Sequence, residues 1–412
     1  MKFESPRGTH DVLPSEQPLW EKVIREAEEL CALYGYRRIT TPLFEDTSLF
    51  TRTSGQGSDI VQKEMYTFTD RGDRSLTLRP EGTAPVARAY IQHGLHREPQ
   101  PVKTFFIGPL YRYLTPQRGK FREFWQFNLE AMGSDDPAVD AEVIQLYAEL
   151  LGRLEIRGWW LELNSIGDRN CRPAYLEQLN AWLDEHADEI DDETRAKRET
   201  SPLRAFDNLS QKPESVQQAL AGAPKIGESL CEECEAHFAA VQKYLAAYGV
   251  EYRLTPTLVR GLDYYTRTTF EFMGQALGAQ SSLCGGGRYD YLIEEIGGPP
   301  TPAVGFASGI ERVVLSLVEQ GVTAAPPEIE VFFAVEDEGV RADVIAAMGA
   351  LRRAGRAAET DYAGRSLKGQ LTQAGRVGAR ATLIARGDGA TVRRPGEKDV
   401  DFGSLDEAVK SL

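Results

Sequence analysis

Along the stretch Phe121 to Ala131, Arg122, Phe124, Gln126, Asn128 and Glu130 fall on one side of a two-residue repeat, and Phe121, Trp125, Phe127 and Leu129 on the other. A strand face carrying a cation, a ring, two amides and a carboxylate is poor core and a good ligand pocket. The plainer alternative is the wetted outer face of an antiparallel sheet. Arg112 ends the preceding apolar stretch, and Thr115-Pro116-Gln117-Arg118-Gly119 supplies turn chemistry between the two. Upstream, Arg79-Pro80-Glu81-Gly82-Thr83 sets a carboxylate and a hydroxyl at the mouth of a sheet, where Gly82 lets a ligand approach the backbone. The same loop also reads as a helix start, with Thr83 as cap and Glu81 favoured by the helix dipole. Downstream, Arg260, Asp263, Tyr264 and Tyr265 crowd together, and a glycine run precedes Arg288-Tyr289-Asp290. Glu311 and Arg312 occupy the first turns of a helix. The dipole there does not favour a cation, so Arg312 needs another reason. Cys231, Cys234 and His237 tempt a zinc assignment, but they fall in a helical pattern with no second ligand pair at metal spacing, so structural cysteines and no metal site are expected.

These residues need elements to hold them. Ser15 can cap a helix with Trp20, Val23, Ile24, Ala27, Cys31 and Tyr34 at helical spacing, ended by Gly35. A strand from Tyr36 to Thr41 follows, and this helix and strand suit either core or a subunit contact. Phe105–Tyr113 and Phe121–Ala131 form a strand pair. Leu76 to Tyr90 reads as strand, loop and a helix starting near Ala84, Asp140–Leu154 as a helix, and Trp159–Ile166 as a strand. From Arg172 to Tyr248 the chain is helical and acidic, an inserted module whose run DEHADEIDDET is a solvated face. Arg253–Phe272 reads as strand, polar turn and strand, and Ala303–Leu317 as a strand entering a helix. Beyond a linker at Glu319–Glu328, strands at Ile329–Val335 and Arg380–Ala385 with helices at Val340–Ala354 and Ser366–Gly378 make a small α/β domain. Between Arg352 and Arg386 eight Lys or Arg face two acids. Such an excess fits a phosphate-backbone surface or a mixed solvated face.

At 412 residues, 42% apolar and 26% charged, the chain has the composition of a two- or three-domain soluble protein. No run is long enough for a membrane span and the N-terminus lacks a signal-peptide core, so no membrane contact and a cytoplasmic location are expected. Five scattered cysteines argue against a disulfide framework. A net charge of -15 argues against non-specific nucleic-acid binding, leaving any such role to a local patch.

Seven segments in order, PRGTHDVLP, TLRPEGTAPVARA, YRYLTPQRGKFREFWQF, LNSIGDRN, LVRGLDYYTRTTFEF, CGGGRYD and AVGFASGIERVVL, resemble the histidyl-tRNA synthetases, a class II aminoacyl-tRNA synthetase family. The resemblance implies an α+β protein: a catalytic domain over 1–325 built on an antiparallel sheet, a helical insertion at about 170–250, and an α/β anticodon-binding domain over 326–412. It implies a homodimer that activates L-histidine with ATP, accompanied by Mg2+, and transfers it to the 3′ end of histidine tRNA. By family pattern Glu81 and Thr83 hold the α-ammonium with Gly82 beside them in the histidine site, Arg112 holds the α-phosphate, and Arg260 neutralises charge developing there, with Glu81, Arg112 and Arg260 forming the catalytic set. Arg122, Phe124 and Arg312 complete the ATP site, with adenine between Phe124 and Arg312. Gln126, Glu130, Tyr264 and Tyr265 select the imidazole, and Arg288 and Tyr289 belong to the pocket wall. Leu114 and Thr115 replace the Glu-Arg pair of bacterial relatives, Trp125 stands where many have histidine, and the last domain reads as abbreviated after Arg386. The alternative is a synthetase-like regulatory subunit of histidine biosynthesis. Such paralogues usually lack the C-terminal domain and carry a degraded second histidine motif, whereas this chain keeps Arg260 and a C-terminal domain.

Overall fold

The computed structural model describes residues 2–55, 58–207, 209, 212–275, 282–324 and 328–412. The chain divides into two units, Met1–Thr323 and Ala324–Leu412. The expected boundary at 325/326 lies outside the described residues.

The first unit is built on an eight-stranded sheet. In spatial order its strands are Arg37–Arg38, Val102–Tyr111, Glu123–Met132, Ala303–Gly309, Ser282–Arg288, Thr266–Gly274, Trp159–Ser165 and Arg253–Leu254. The six central strands pair antiparallel, and the two short edge strands pair parallel. The two-residue repeat sorts the faces of Glu123–Met132 as the sequence suggests. Phe127 and Leu129 sink into the core with Leu161, Leu163, Phe270, Phe272 and Phe306, beneath the helix Pro137–Arg153. Phe121 departs from this pattern. It precedes the strand, packs its ring 4.4 Å from His10 and reaches the opposite, polar side.

The first helix runs Gln17–Leu33 and begins at Glu16, not Ser15, with Pro18 pre-set for the first turn. Trp20, Val23, Ala27, Leu30 and Cys31 are buried in the main core. The strand after it is only Arg37–Arg38, shorter than the expected Tyr36–Thr41. A small sheet of Phe44–Asp46, Ser75–Leu78 and Tyr66–Thr69 leads into the helix Thr83–Gln92.

The helical module is shorter than expected. Helices Arg172–Glu185 and Glu214–Ala221 share a separate core of Tyr175, Leu179, Leu183, Val216 and Leu220, joined by Ile190 just before the helix Asp192–Thr200. The fourth helix, Glu232–Tyr248, instead places Val241 and Leu245 in the main core, because its apolar stripe matches the Pro137–Arg153 helix. Within the acidic run Ile190 is buried and the Asp191 carboxylate caps the next helix, so that run is not wholly a solvated face.

In the second unit, strands order as Ala358–Thr360, Val331–Val335, Ala381–Arg386, Gly389–Arg393 and Val400–Phe402. The first three are parallel, as expected for βαβ connections, while the last two add an antiparallel hairpin beyond Arg386. Helix Leu405–Lys410 closes the core through Ala408.

Candidate active site

The bare backbone of the glycine run decides where a cavity can open. Gly285 lies against the Arg260 guanidinium, where an added Cβ would sit 2.7 Å from Nη1. Gly305, paired with Glu130 across the sheet, lies against that carboxylate, where any side chain would strike it. With no side chains at these positions, the polar face of the sheet stays open as a cavity of about 390 Å³. That is room for a drug-sized ligand.

Glu81, Thr83, Arg112, Phe124, Gln126, Arg260, Tyr264, Tyr265, Tyr289 and Arg312 all line this one cavity. Glu81 serves both readings of its loop. Its carboxylate accepts from the Thr83 and Ala84 N–H groups at 2.7 and 2.9 Å, so Glu81, rather than Thr83, satisfies the helix N-terminus. Burial nevertheless pushes its carboxyl up. Thr83 Oγ1 donates to Glu130 Oε1 at 2.7 Å. Arg112 is held by Nε donating to the Pro80 carbonyl at 2.7 Å, with its guanidinium 5.6 Å from the Phe124 ring centroid.

Arg260 pairs with Glu271 at 2.9 Å, and although burial opposes its charge, the Glu271 carboxylate outweighs that and holds the guanidinium above its ordinary range. Arg312 donates to the Gly119 carbonyl at 3.1 Å and the Ser282 carbonyl at 2.5 Å. These bonds aim it from the helix start into the cavity, which is the reason the sequence left open. Several buried polar atoms lack partners: Gln126 Oε1, both ends of the Asn128 amide, and Arg260 Nε. Unpaired buried polar groups are costly, and a polar ligand in the cavity would relieve that cost.

Four expected site residues are placed otherwise. Glu130 lies one layer below the lining, fully buried, accepting from Thr83 and from the Tyr289 hydroxyl. Burial pushes its carboxyl up to about 8 despite those two donors. Arg122 is not in the lining, because its guanidinium stacks 3.8 Å from the Tyr113 ring and donates to the Leu114 carbonyl. Arg288 is corrected outright as a pocket wall. It is fully buried and locked between Asp140 and Asp290, a strut between the sheet and the Pro137–Arg153 helix. Gly82 is likewise outside the lining, packed so closely that an added Cβ would strike the Phe106 ring and lie 3.0 Å from the Asn128 amide.

The sequence reading passed over other lining residues. Asn128 was legible from its alternation with Gln126. Glu64, Lys120 and Glu311 carried no such signal. Glu311 accepts from the Trp125 N–H at 2.7 Å, and burial raises its carboxyl to about 7. Lys120 is held below its usual range by burial and then by Arg312. No helix among the described residues is long and apolar enough to cross a membrane.

An antiparallel sheet whose open face gathers two arginines over a bare glycine strand, with a third arginine entering from the terminal strand and helix, defines a class II aminoacyl-tRNA synthetase catalytic domain. The comparisons are more specific. Residues 8–313 match the model of the family described as "Histidyl-tRNA synthetase". The histidine–tRNA ligase of Moorella thermoacetica is 48% identical over 99% of this chain and 96% of its own length. That of Desulforamulus reducens is 47% identical over 92% and 90%. The apo histidyl-tRNA synthetase of S. aureus superposes with a TM-score of 0.83, at 35% identity, over 100% of this chain and 99% of that one. This chain belongs to the histidyl-tRNA synthetase family.

Proposed function

We propose that the cavity activates L-histidine with ATP to histidyl-adenylate and passes the histidyl group to the 3′ end of histidine tRNA. The observation that carries this reading is the convergence of Arg112, Arg260 and Arg312 with Glu81 and Gln126 on one cavity. Attack of the amino-acid carboxylate on the α-phosphate builds negative charge at phosphorus, and fixed guanidinium groups stabilise it without reorganisation. Arg112 and Arg260 serve that charge. Phe124 and Arg312 enclose the adenine, the ring on one side and the cation plane on the other. Glu81 and Thr83 receive the α-ammonium.

The imidazole meets Gln126, Tyr264, Tyr265 and the orphaned Asn128 amide, which together offer donors and acceptors for two ring nitrogens. Glu130 acts through Thr83 and Tyr289, fixing their hydroxyls from below. A pocket of buried polar groups rejects analogues lacking them by ~10⁴ or more, so selection needs no second sieve. Glu311 and Glu64 on the cavity wall are carboxylates of the kind that would hold a Mg2+ ion accompanying ATP, an ion that draws most of its ligands from phosphate and water. When bound, it neutralises phosphate charge.

The chain works as a homodimer in the cytoplasm, and the Ala324–Leu412 unit binds the anticodon region. The regulatory-subunit alternative has a neighbour in fold, a Bacillus halodurans protein titled as ATP phosphoribosyltransferase regulatory subunit/histidyl-tRNA synthetase, at 24% identity and a TM-score of 0.67. The near full-length histidine–tRNA ligase relatives favour the enzyme. Charging of a histidine tRNA transcript with labelled histidine decides between them. Acid-stable, ATP-dependent charging is expected, and histidine binding without charging would leave the regulatory reading in its place.

A further inference from the structure

Four side chains that adenylation does not use meet where the helical module joins the sheet. Asp168 and Cys171 lie on the turn after the strand Trp159–Ser165, and Cys231 and Cys234 at the start of the helix Glu232–Tyr248. One ligand atom from each lies within 4.8 Å of all the others. Read along the chain, Cys231 and Cys234 lacked a second pair; the fold supplies one from a distant turn. His237 stays out of the group, with Nε2 3.8 Å from Asp140.

The spacing among these atoms is that of a coordination shell. With Zn–S near 2.3 Å and Zn–O near 2.0 Å, a tetrahedron has S–S edges of about 3.8 Å and S–O edges of about 3.5 Å. Cys171 Sγ stands 3.9 Å from Cys234 Sγ and 3.7 Å from Asp168 Oδ1. A disulfide requires sulfurs at about 2.05 Å, far closer than these. We propose that Asp168, Cys171, Cys231 and Cys234 form a structural Zn2+ site.

Three further observations support it. Gly167 has a φ of +61°, and a Cβ there would lie 2.5 Å from Cys171 Sγ, so the turn is shaped to admit that sulfur. The Asp168 N–H donates to Cys171 Sγ at 3.3 Å, a contact that steadies a thiolate ligand. Three thiolates and a carboxylate around a divalent ion leave net negative charge. Arg267 answers it, with its guanidinium 3.3 Å from Asp168 Oδ2, and so does the half-buried Arg172 beside Cys171.

The site also has a structural consequence. Arg172 donates Nε to the Ile166 carbonyl at 2.9 Å and its terminal nitrogen to the Tyr265 carbonyl. Zinc therefore fixes the turn that holds the backbone of a cavity-lining tyrosine. This consequence rests on the adenylation reading, but the metal site itself does not.

The test is metal content of the full-length protein purified without chelators, joined to Co2+ titration of the reduced, metal-stripped protein. About one equivalent of zinc per chain is expected, with Co2+ giving thiolate charge-transfer absorption and tetrahedral d–d bands. Cys231→Ser should lose both, and Cys31→Ser, altered in the distant core, should keep them. Because loss could follow from misfolding, Asp168→Cys supplies the opposite sign: a fourth thiolate should strengthen the charge-transfer band and tighten binding about tenfold or more. Wild-type protein with neither zinc nor cobalt bands would overturn the proposal. So would an Asp168→Cys spectrum identical to wild type, or a disulfide among these cysteines in protein kept under reducing conditions.

Discussion

Arg260 is where the chemistry should be most sensitive. Its guanidinium is fixed by Glu271, lies over Gly285 and keeps Nε unpaired beside the cavity. Arg260→Ala should slow single-turnover adenylate formation by about 10² or more while changing histidine affinity far less, since the charge it meets develops only in the transition state. Adenylation near the wild-type rate would remove that role. Glu130 makes a pH prediction. Burial raises its folded pKa to about 8, so between roughly pH 4.5 and 8 the folded chain holds a proton that the unfolded chain has released. Folded-state stability from this group is therefore lost as pH rises through that window. Glu130→Gln keeps an acceptor for Tyr289 and Thr83 but cannot titrate, so its denaturation midpoint should fall less with pH than the wild type's. Parallel pH profiles for the two proteins would contradict the assignment.

Among the elements, the strand Ser282–Arg288 and its neighbour Ala303–Gly309 work by what they omit. A methyl at Gly305 would meet the Leu129 carbonyl and the Glu130 carboxylate, so Gly305→Ala should cost about 1–3 kcal/mol in denaturant unfolding and weaken histidine binding measurably by calorimetry. Unchanged stability and affinity would mean the close approach is not needed. The alternation over Phe124 to Leu129 was legible because a strand repeats every two residues whatever surrounds it. Glu81 was legible in both its roles, cap and cavity wall, because both follow from a carboxylate just before a helix. Arg288 was not, since its partner Asp140 lies on a helix far away in sequence and no local pattern reveals a buried ion pair. The same blindness hid the meeting of Cys171 with Cys231 and Cys234. Arg122 was misplaced for a smaller reason: it sits just before the strand begins, where the two-residue rule has not yet taken hold.

At the scale of the whole molecule, the two units have separate cores, and each should keep its own task. The expected basic surface of the second unit is partly neutralised, because Arg356, Arg365, Arg380 and Arg386 pair with acids of the same unit. If the unit contacts nucleic acid as proposed, exposed residues such as Arg353, Lys368 and Arg376 are the ones left to do so. Removal of residues 324–412 should leave histidine-dependent pyrophosphate exchange near wild type and reduce tRNA charging by about 10² or more. Undiminished charging by the shortened chain would remove the anticodon role. Every proposed role depends on the cavity between Glu81, Arg112, Gln126, Arg260 and Arg312 activating an imidazole amino acid. The direct measurement is ATP–pyrophosphate exchange by the purified full chain against each of the twenty amino acids. Exchange with histidine alone above background is the predicted result; exchange with none, or with a different amino acid, would contradict it.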